Sequence, residues 1–274
     1  MLEIHGFQKT TLLDYPGYLA CTVFFGGCNF RCPYCHNGDL VLSPGSLPLI
    51  SEDTVLSHLK KRQGILDGVC ITGGEPTLQP ELFDFIKKMK EEGKIREIGF
   101  SFHDTADILD KILTKHPEMD FVQLQINYLD WNSESVQSRL CYETAVKHGK
   151  QVVIMEPVKG GSLVRVPEDI QTKLLTLDGS LSIASWAIRF AASLKNVRVV
   201  LSGMSNLEQL NDNISYMKIF KPLTQKENDF LIKLGDQIRT SIAIPCTACN
   251  YCTPGCPKHL CIPCLLYTSP SPRD

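Results

Sequence analysis

Three cysteines, Cys28, Cys32 and Cys35, follow directly on an apolar, β-branched run, Leu19 to Phe25 (LACTVFF). The run reads as a buried strand, so the loop Gly26-Gly27-Cys28-Asn29-Phe30-Arg31-Cys32-Pro33-Tyr34-Cys35-His36-Asn37 leaves its C-terminal end. The spacing C-x3-C-x2-C suits a loop wrapped around one iron–sulfur cluster. Three thiolates on a four-iron cluster leave one iron open to a further ligand, so such a site can do chemistry as well as pass electrons. The competing reading is a structural zinc site with His36 as fourth ligand.

The rest of the chain repeats strand, loop and helix. Ser51 stands as N-cap of a helix to about Gln63, and Gly68 to Thr72 is a short strand running into Gly73-Gly74-Glu75-Pro76. A helix from Pro80 to about Glu92 follows. Strands are expected at Arg96 to Phe100, Phe121 to Ile126, Gln151 to Met155 and Val197 to Leu201. Helices are expected at Asp104 (as cap) to Lys115, Glu134 to His148, Leu181 to Leu194, Asn206 to Met217 and Thr224 to Ile238. Pro157 to Asp178 reads as a long irregular loop. Six parallel-type strands predict an α/β fold, a (βα)6-like partial TIM barrel, with sites at the C-terminal ends of the strands. A Cys-rich, ferredoxin-like segment follows.

Composition narrows the class. The chain has 274 residues, 43% of them hydrophobic, a formal net charge of -2 and 21% charged residues. That balance suggests neither a nucleic-acid nor a membrane-surface partner. No 18-residue apolar run exists, and Met1 to Gly17 has no secretory signal pattern, so a cytoplasmic location is expected. The 12 cysteines are clustered, which in a chain of this size reads as ligand sets rather than disulfides. Cys21, Cys70 and Cys141 stand apart, in apolar or helical contexts, and read as core residues.

The cysteine loop with Tyr34, the stretch Gly6 to Thr10, Leu13 to Gly17 and the turn Gly73-Gly74-Glu75-Pro76 resemble radical S-adenosylmethionine enzymes. The likeness is to glycyl-radical-enzyme activating proteins, nearest the anaerobic ribonucleoside-triphosphate reductase type, and covers about residues 1–92. It implies a 4Fe-4S cluster on Cys28, Cys32 and Cys35 and S-adenosylmethionine beside Tyr34, Gly73, Gly74 and Glu75. The implied chemistry is reductive cleavage of S-adenosylmethionine to a 5′-deoxyadenosyl radical. The implied partners are a glycyl-radical enzyme and a reduced donor, flavodoxin or ferredoxin.

From about Lys94 the resemblance changes. Ile95 to Asp104, Gln123 to Tyr128, Val153 to Pro157, Val200 to Ser205 and Asp212-Asn213 resemble the C-terminal half of iron–sulfur aldo/keto reductases. This likeness runs over residues 94–263. It implies NAD(P)H, with Ser101 and Gln123 at the carboxamide, Ser202, Gly203, Met204 and Ser205 at phosphate before a helix, and Asn213 near the adenine. Met155 stands where an aromatic ring often stacks on the nicotinamide. Ordinary barrel packing explains the same residue types. The family's catalytic Asp, Tyr, Lys and His belong to the first half of its barrel and have no counterpart. His103 is not the matching histidine, so no catalytic residue is assigned and no carbonyl reduction is expected.

Cys246-x2-Cys249-x2-Cys252-x3-Cys256-Pro257 is a bacterial ferredoxin run, suited to a second 4Fe-4S cluster and electron relay. A zinc ribbon is the alternative. Cys261 and Cys264 are open candidates for a further cluster. Residues 264–274 resemble translated sequencing-adapter read-through and are expected to be disordered. The expected domains are 1–92, 93–243, 244–264 and the tail 265–274. Three readings compete: a radical S-adenosylmethionine activase, a 4Fe-4S aldo/keto reductase truncated of its catalytic tetrad, and a chimera without evolved activity.

Overall fold

The computed structural model describes residues 2–12, 14–15, 18–32, 35–241, 253, 256, 258 and 260. It divides into two compact units, Met1–Ile98 and Gly99–Asp274.

The first unit is built on a three-stranded sheet in the order β1 (Ile4–Thr11), β2 (Ala20–Phe25) and β3 (Gly68–Gly73). β2 is apolar over nearly its whole length because both its faces are covered. β3 lies parallel to it in unbroken register, from Ala20 opposite Gly68 to Phe25 opposite Gly73. The cysteine loop and the GGEP turn therefore leave the sheet at the same end. β1, which the sequence reading did not expect, pairs antiparallel with β2 through two irregularities. Its polar residues Gln8, Lys9 and Thr10 hide the strand pattern, while Ile4 is wholly buried.

Three helices complete the unit, α1 (Gly38–Leu42), α2 (Glu52–Lys61) and α3 (Leu82–Glu91). Ser51 caps α2 as expected, its hydroxyl accepting from the Thr54 amide at 3.2 Å. Leu82, Phe85 and Met89 share one face of α3 and pack with Val23, Phe25, Val55 and Leu59. Burying a side chain such as Phe25 contributes about 1.5–3 kcal/mol.

The second unit carries a four-stranded parallel sheet, β4 (Gly99–Phe102), β5 (Phe121–Gln125), β6 (Gln151–Met155) and β7 (Val197–Val200), in sequence order. Its helices are α4 (Ala106–Lys115), α5 (Ser138–Lys147), α6 (Glu168–Leu177), α7 (Ile183–Ala192), α8 (Leu207–Met217) and α9 (Gln225–Ser241). α7 is buried over most of its length, with Trp186, Ala187, Phe190 and Ala191 wholly enclosed.

Four expectations need correction. The six parallel strands form no single barrel sheet: among the described residues two of them, β2 and β3, share a sheet with the antiparallel β1, and the other four, β4 to β7, form a second sheet. The segment expected as strand from Arg96 enters the sheet only at Gly99, so the chain joins the two sheets without a ladder. The expected loop Pro157 to Asp178 contains α6, whose buried Ile170 and Leu174 stand four apart on one face. Thr105, not Asp104, is the N-cap of α4, and Asp104 instead accepts from the Thr105 amide at 2.7 Å.

No helix among the described residues is long and apolar enough to cross a membrane. The ferredoxin-like segment and the tail, apart from Thr253, Cys256, Lys258 and Leu260, lie outside the described residues, as does Tyr34.

Candidate functional site

In the first unit the backbone builds the site. The Gly74 amide donates to Phe25 O at 2.8 Å and the Glu75 amide to Gly27 O at 2.9 Å. Gly73 has φ +115°, a conformation that glycine alone adopts cheaply, and a Cβ there would lie 2.4 Å from Phe25 O. A Cβ on Gly74 would lie 1.9 Å from Gly27 O. Both glycines are thus required by the close approach of the two loops. Asn37 Nδ2 donates to Gly73 O at 3.0 Å, and Gln79 Nε2 donates to Gly26 O at 3.1 Å. The Glu3 amide donates back to Gln79 Oε1 at 3.2 Å, so buried Gln79 links β1, the cysteine loop and the GGEP turn. Neither Asn37 nor Gln79 was picked out from the sequence. A lone Gln three residues after GGEP carries no signal until its burial is known.

The three thiols lie on the same loop. Cys28 is half-buried and accepts from the Phe30 amide at 3.4 Å, while Cys32 and Cys35 are exposed. The Cys35 amide donates to Cys32 O at 3.1 Å. Arg31 turns its guanidinium onto the carbonyls of Cys28 and Phe30, at 2.8 and 2.6 Å. Among the described residues no three His, Cys, Asp or Glu side chains are gathered closely enough to hold a metal ion. The donor chemistry nevertheless fits a cluster: three free thiols, two of them open to solvent, on one loop. Glu75 Oε1 accepts from the Thr77 amide and hydroxyl at 3.1 and 2.6 Å, so the carboxylate caps the turn Pro76–Leu78.

The isolated cysteines have a different environment. Burial pushes the Cys21 thiol up to about 11 and the Cys141 thiol up to about 11. Burial, then the nearby Asp14 and Cys21, pushes Cys70 up to about 12, and its thiol donates to Asp14 O at 3.0 Å. These groups stay protonated and are poor ligands at neutral pH.

In the second unit the register sets Ser101 opposite Gln123, one strand from β6. Gln123 Nε2 lies 3.5 Å from Ser101 Oγ and 3.7 Å from Met155 Sδ. His103 joins this patch, with Nε2 3.1 Å from Ser101 Oγ. Beyond β7, Asn213 Nδ2 donates to Ser202 Oγ at 2.9 Å, and Tyr216 donates to Asn213 Oδ1. Ser202 and Asn213 line a cavity of about 210 Å³ with Val200, Met204, Leu210 and Met217. Ser205 instead binds Gln209 Oε1 through its amide at 2.8 Å, one residue before the Asn206 cap of α8. Gly203 lies in the same turn with open space around its Cα. The expected residues therefore fall into two groups, Ser101 with Gln123, and Ser202 with Met204 and Asn213.

A third group was missed from the sequence. Buried Asp130 accepts from Gln125 Nε2 at 2.8 Å, Asn127 Nδ2 at 2.9 Å and Lys159 Nζ at 2.7 Å. Asn127 Nδ2 also reaches Glu156 O at 3.1 Å. Glu156 and Lys159 both have positive φ, 52° and 51°, so the network holds strained backbone just beyond the end of β6. Cys256 is half-buried, and its amide donates to Thr253 O at 3.3 Å. Cys246, Cys249, Cys252, Cys261 and Cys264 lie outside the described residues.

The model of the aldo/keto reductase family matches residues 51–235. The match starts well before Lys94, taking in α2, β3 and α3, whose helix–strand–helix order suits either barrel. The N-terminal part is similar to curated activating enzymes. The pyruvate formate-lyase-activating enzyme of Clostridium pasteurianum is 37% identical over 138 residues, 47% of this chain and 54% of that protein. The pyruvate formate-lyase 1-activating enzyme of Escherichia coli is 36% identical over 97 residues, 33% of this chain and 38% of its own length. The chain thus spans about half or less of these relatives. Among solved structures, the apo form of an aldo-keto reductase from Bacillus halodurans is 24% identical with TM-score 0.50, covering 67% of each chain. A thermostable aldo-keto reductase bound to epalrestat is 20% identical with TM-score 0.50 over 66% of each. These two support the α/β barrel-type fold alone. Two sets of relatives within one chain fit a chimera.

Proposed function

The chain belongs to the aldo/keto reductase family, yet its most complete site lies in the part similar to activating enzymes, and we propose that this site carries radical S-adenosylmethionine chemistry of the activase type. The observation that supports it is the bond between the Glu75 amide and Gly27 O, with Gly74 packed on the same carbonyl. Two motifs 38 residues apart in sequence, taking Cys35 to Gly73, are thereby held as one backbone unit.

In this proposal Cys28, Cys32 and Cys35 hold a 4Fe-4S cluster, and Gly73, Gly74 and Glu75 hold S-adenosylmethionine, with Tyr34 beside it. The bound groups supply a one-electron cleavage that yields a 5′-deoxyadenosyl radical. The protein's part is positional. Gly73 and Gly74 let the backbone approach a ligand, and Asn37 and Gln79 hold the loops in register. Glu75 offers a carboxylate to an amino group. The substrate proposed is a glycyl-radical enzyme, with a reduced flavodoxin or ferredoxin as donor. Cys246, Cys249, Cys252 and Cys256 are proposed to hold a second 4Fe-4S cluster that relays electrons. Reconstituting the chain anaerobically with iron and sulfide and assaying 5′-deoxyadenosine tests the proposal, with Cys32→Ala as control.

A second reading is favoured by the Ser101–Gln123–Met155 patch and the Ser202–Asn213 cavity. In it the second unit holds NAD(P)H, with Ser101 and Gln123 at the carboxamide, Ser202, Gly203, Met204 and Ser205 at phosphate, and Asn213 at the adenine. Quenching of protein fluorescence by NADPH tests it.

A further inference from the structure

We infer that in the cluster-free chain Cys32 and Cys35 close a reversible disulfide, and that this bond locks the cysteine loop against loading. The lock rests on the cluster reading of the loop, whereas the disulfide stands on the loop's own geometry.

The loop is tied down at both ends and open between them. Near β2 the Gly27 carbonyl accepts from the Glu75 amide at 2.9 Å, and Cys28 packs beside Gly74. Cys28 is half-buried, and its sulfur already accepts from the Phe30 amide at 3.4 Å. Arg31 braces this limb by donating to the carbonyls of Cys28 and Phe30. At the far end Asn37 Nδ2 donates to Gly73 O at 3.0 Å. Cys32 and Cys35 stand between these ties, both exposed and both free thiols. The Cys35 amide donates to Cys32 O at 3.1 Å. A turn closed in this way holds its end Cα atoms within about 7 Å, and a disulfide needs about 4.4–6.8 Å. Two cysteines separated by two residues, after a strand and before a helix (here β2 and α1), have the arrangement of a dithiol redox site. Cys28, partly buried and engaged with backbone, is the worse partner for either.

The oxidant is a small-molecule disulfide. One sulfur of the pair attacks it, its S–S bond breaks, and one small thiol leaves with the proton. The other sulfur of the pair then attacks the mixed disulfide and expels the second small thiol with the second proton. Two electrons thus pass from the protein to the small molecule, and an added dithiol reverses the exchange. While the bond is closed, Cys28 is the one thiol left on the loop, and a cluster that needs three thiolates cannot be held.

The test uses the full chain, free of iron, in anaerobic mixtures of oxidised and reduced glutathione. Free thiols are alkylated with iodoacetamide and the peptides are mapped by mass spectrometry. The Cys32–Cys35 linkage is expected to exceed either linkage to Cys28 by about tenfold or more. Cys28→Ser is expected to keep that linkage, while Cys32→Ser and Cys35→Ser are each expected to leave the remaining partner as a glutathione adduct. Iron and sulfide are then added with and without dithiothreitol, and Cys28 alkylation is followed. The oxidised chain is expected to leave Cys28 open to alkylation, and dithiothreitol to allow its protection. Absence of the Cys32–Cys35 linkage, or a linkage made preferentially through Cys28, overturns the disulfide and leaves the cluster reading intact. Equal protection of Cys28 with and without dithiothreitol overturns the lock. A fully reduced chain whose Cys28 is never protected overturns the cluster reading and the lock with it.

Discussion

The amide of Glu75 donates to the carbonyl oxygen of Gly27 at 2.9 Å, and this bond makes the cysteine loop and the GGEP turn one structural object. Neither loop is fixed by its own sequence. Each is fixed by the parallel register of β2 and β3, which ends with Phe25 opposite Gly73 and sends both loops from one end of the sheet. The consequences can be measured residue by residue.

Gly74→Ala places a methyl 1.9 Å from Gly27 O, where only a backbone shift makes room. The variant is expected to lose about 2 kcal/mol or more of stability in urea unfolding. It should also take up less iron than wild type after reconstitution, because the loops can no longer close on one another. Wild-type stability in this variant would contradict the close approach.

Asp130→Ala leaves the Lys159 ammonium enclosed without its counter-ion, since the two side chains are only 8% and 13% exposed. Removing one partner of such a pair is expected to cost about 3–5 kcal/mol. Asp130→Ala combined with Lys159→Met is expected to recover part of that loss. Chemical denaturation of the wild type and the two variants provides the comparison.

The thiols divide by accessibility. Iodoacetamide under native conditions at pH 8 is expected to label Cys32 and Cys35 first, both being exposed, and Cys21, Cys70 and Cys141 last. The pH dependence of stability follows from the same burial. Folding raises these three thiols from about 9 to about 11, 12 and 11, so their protonated forms favour the folded state. Their contribution is complete below about pH 9 and is lost as pH climbs through 11 to 12. Thermal unfolding followed from pH 8 to pH 11 should show a falling Tm, and Cys70→Ala should flatten part of the fall.

Much of the fold was legible because its strands are short apolar runs between turn residues. Gln151 to Met155 was read to the residue. The Ser51 cap was read from its place before an acidic first turn. β1 was not legible, because its partner is set by a nonlocal antiparallel pairing and its exposed face is polar. The break between β3 and β4 was also hidden, since strand spacing along a chain says nothing about which edges pair. The candidate sites divide in the same way. Cysteine spacing and the GGEP turn are local patterns, whereas Gln79, Asp130 and Lys159 matter only through contacts across the fold.

The central claim is that the first unit, in this chain, cleaves S-adenosylmethionine. The direct measurement is 5′-deoxyadenosine released by the full chain after anaerobic loading with about four iron atoms per cluster and reduction with dithionite. Wild type is expected to release it at about one equivalent or more, and Cys32→Ala to release none. Wild-type protein that carries the cluster, shows its reduced paramagnetic signal and still forms no 5′-deoxyadenosine contradicts the claim.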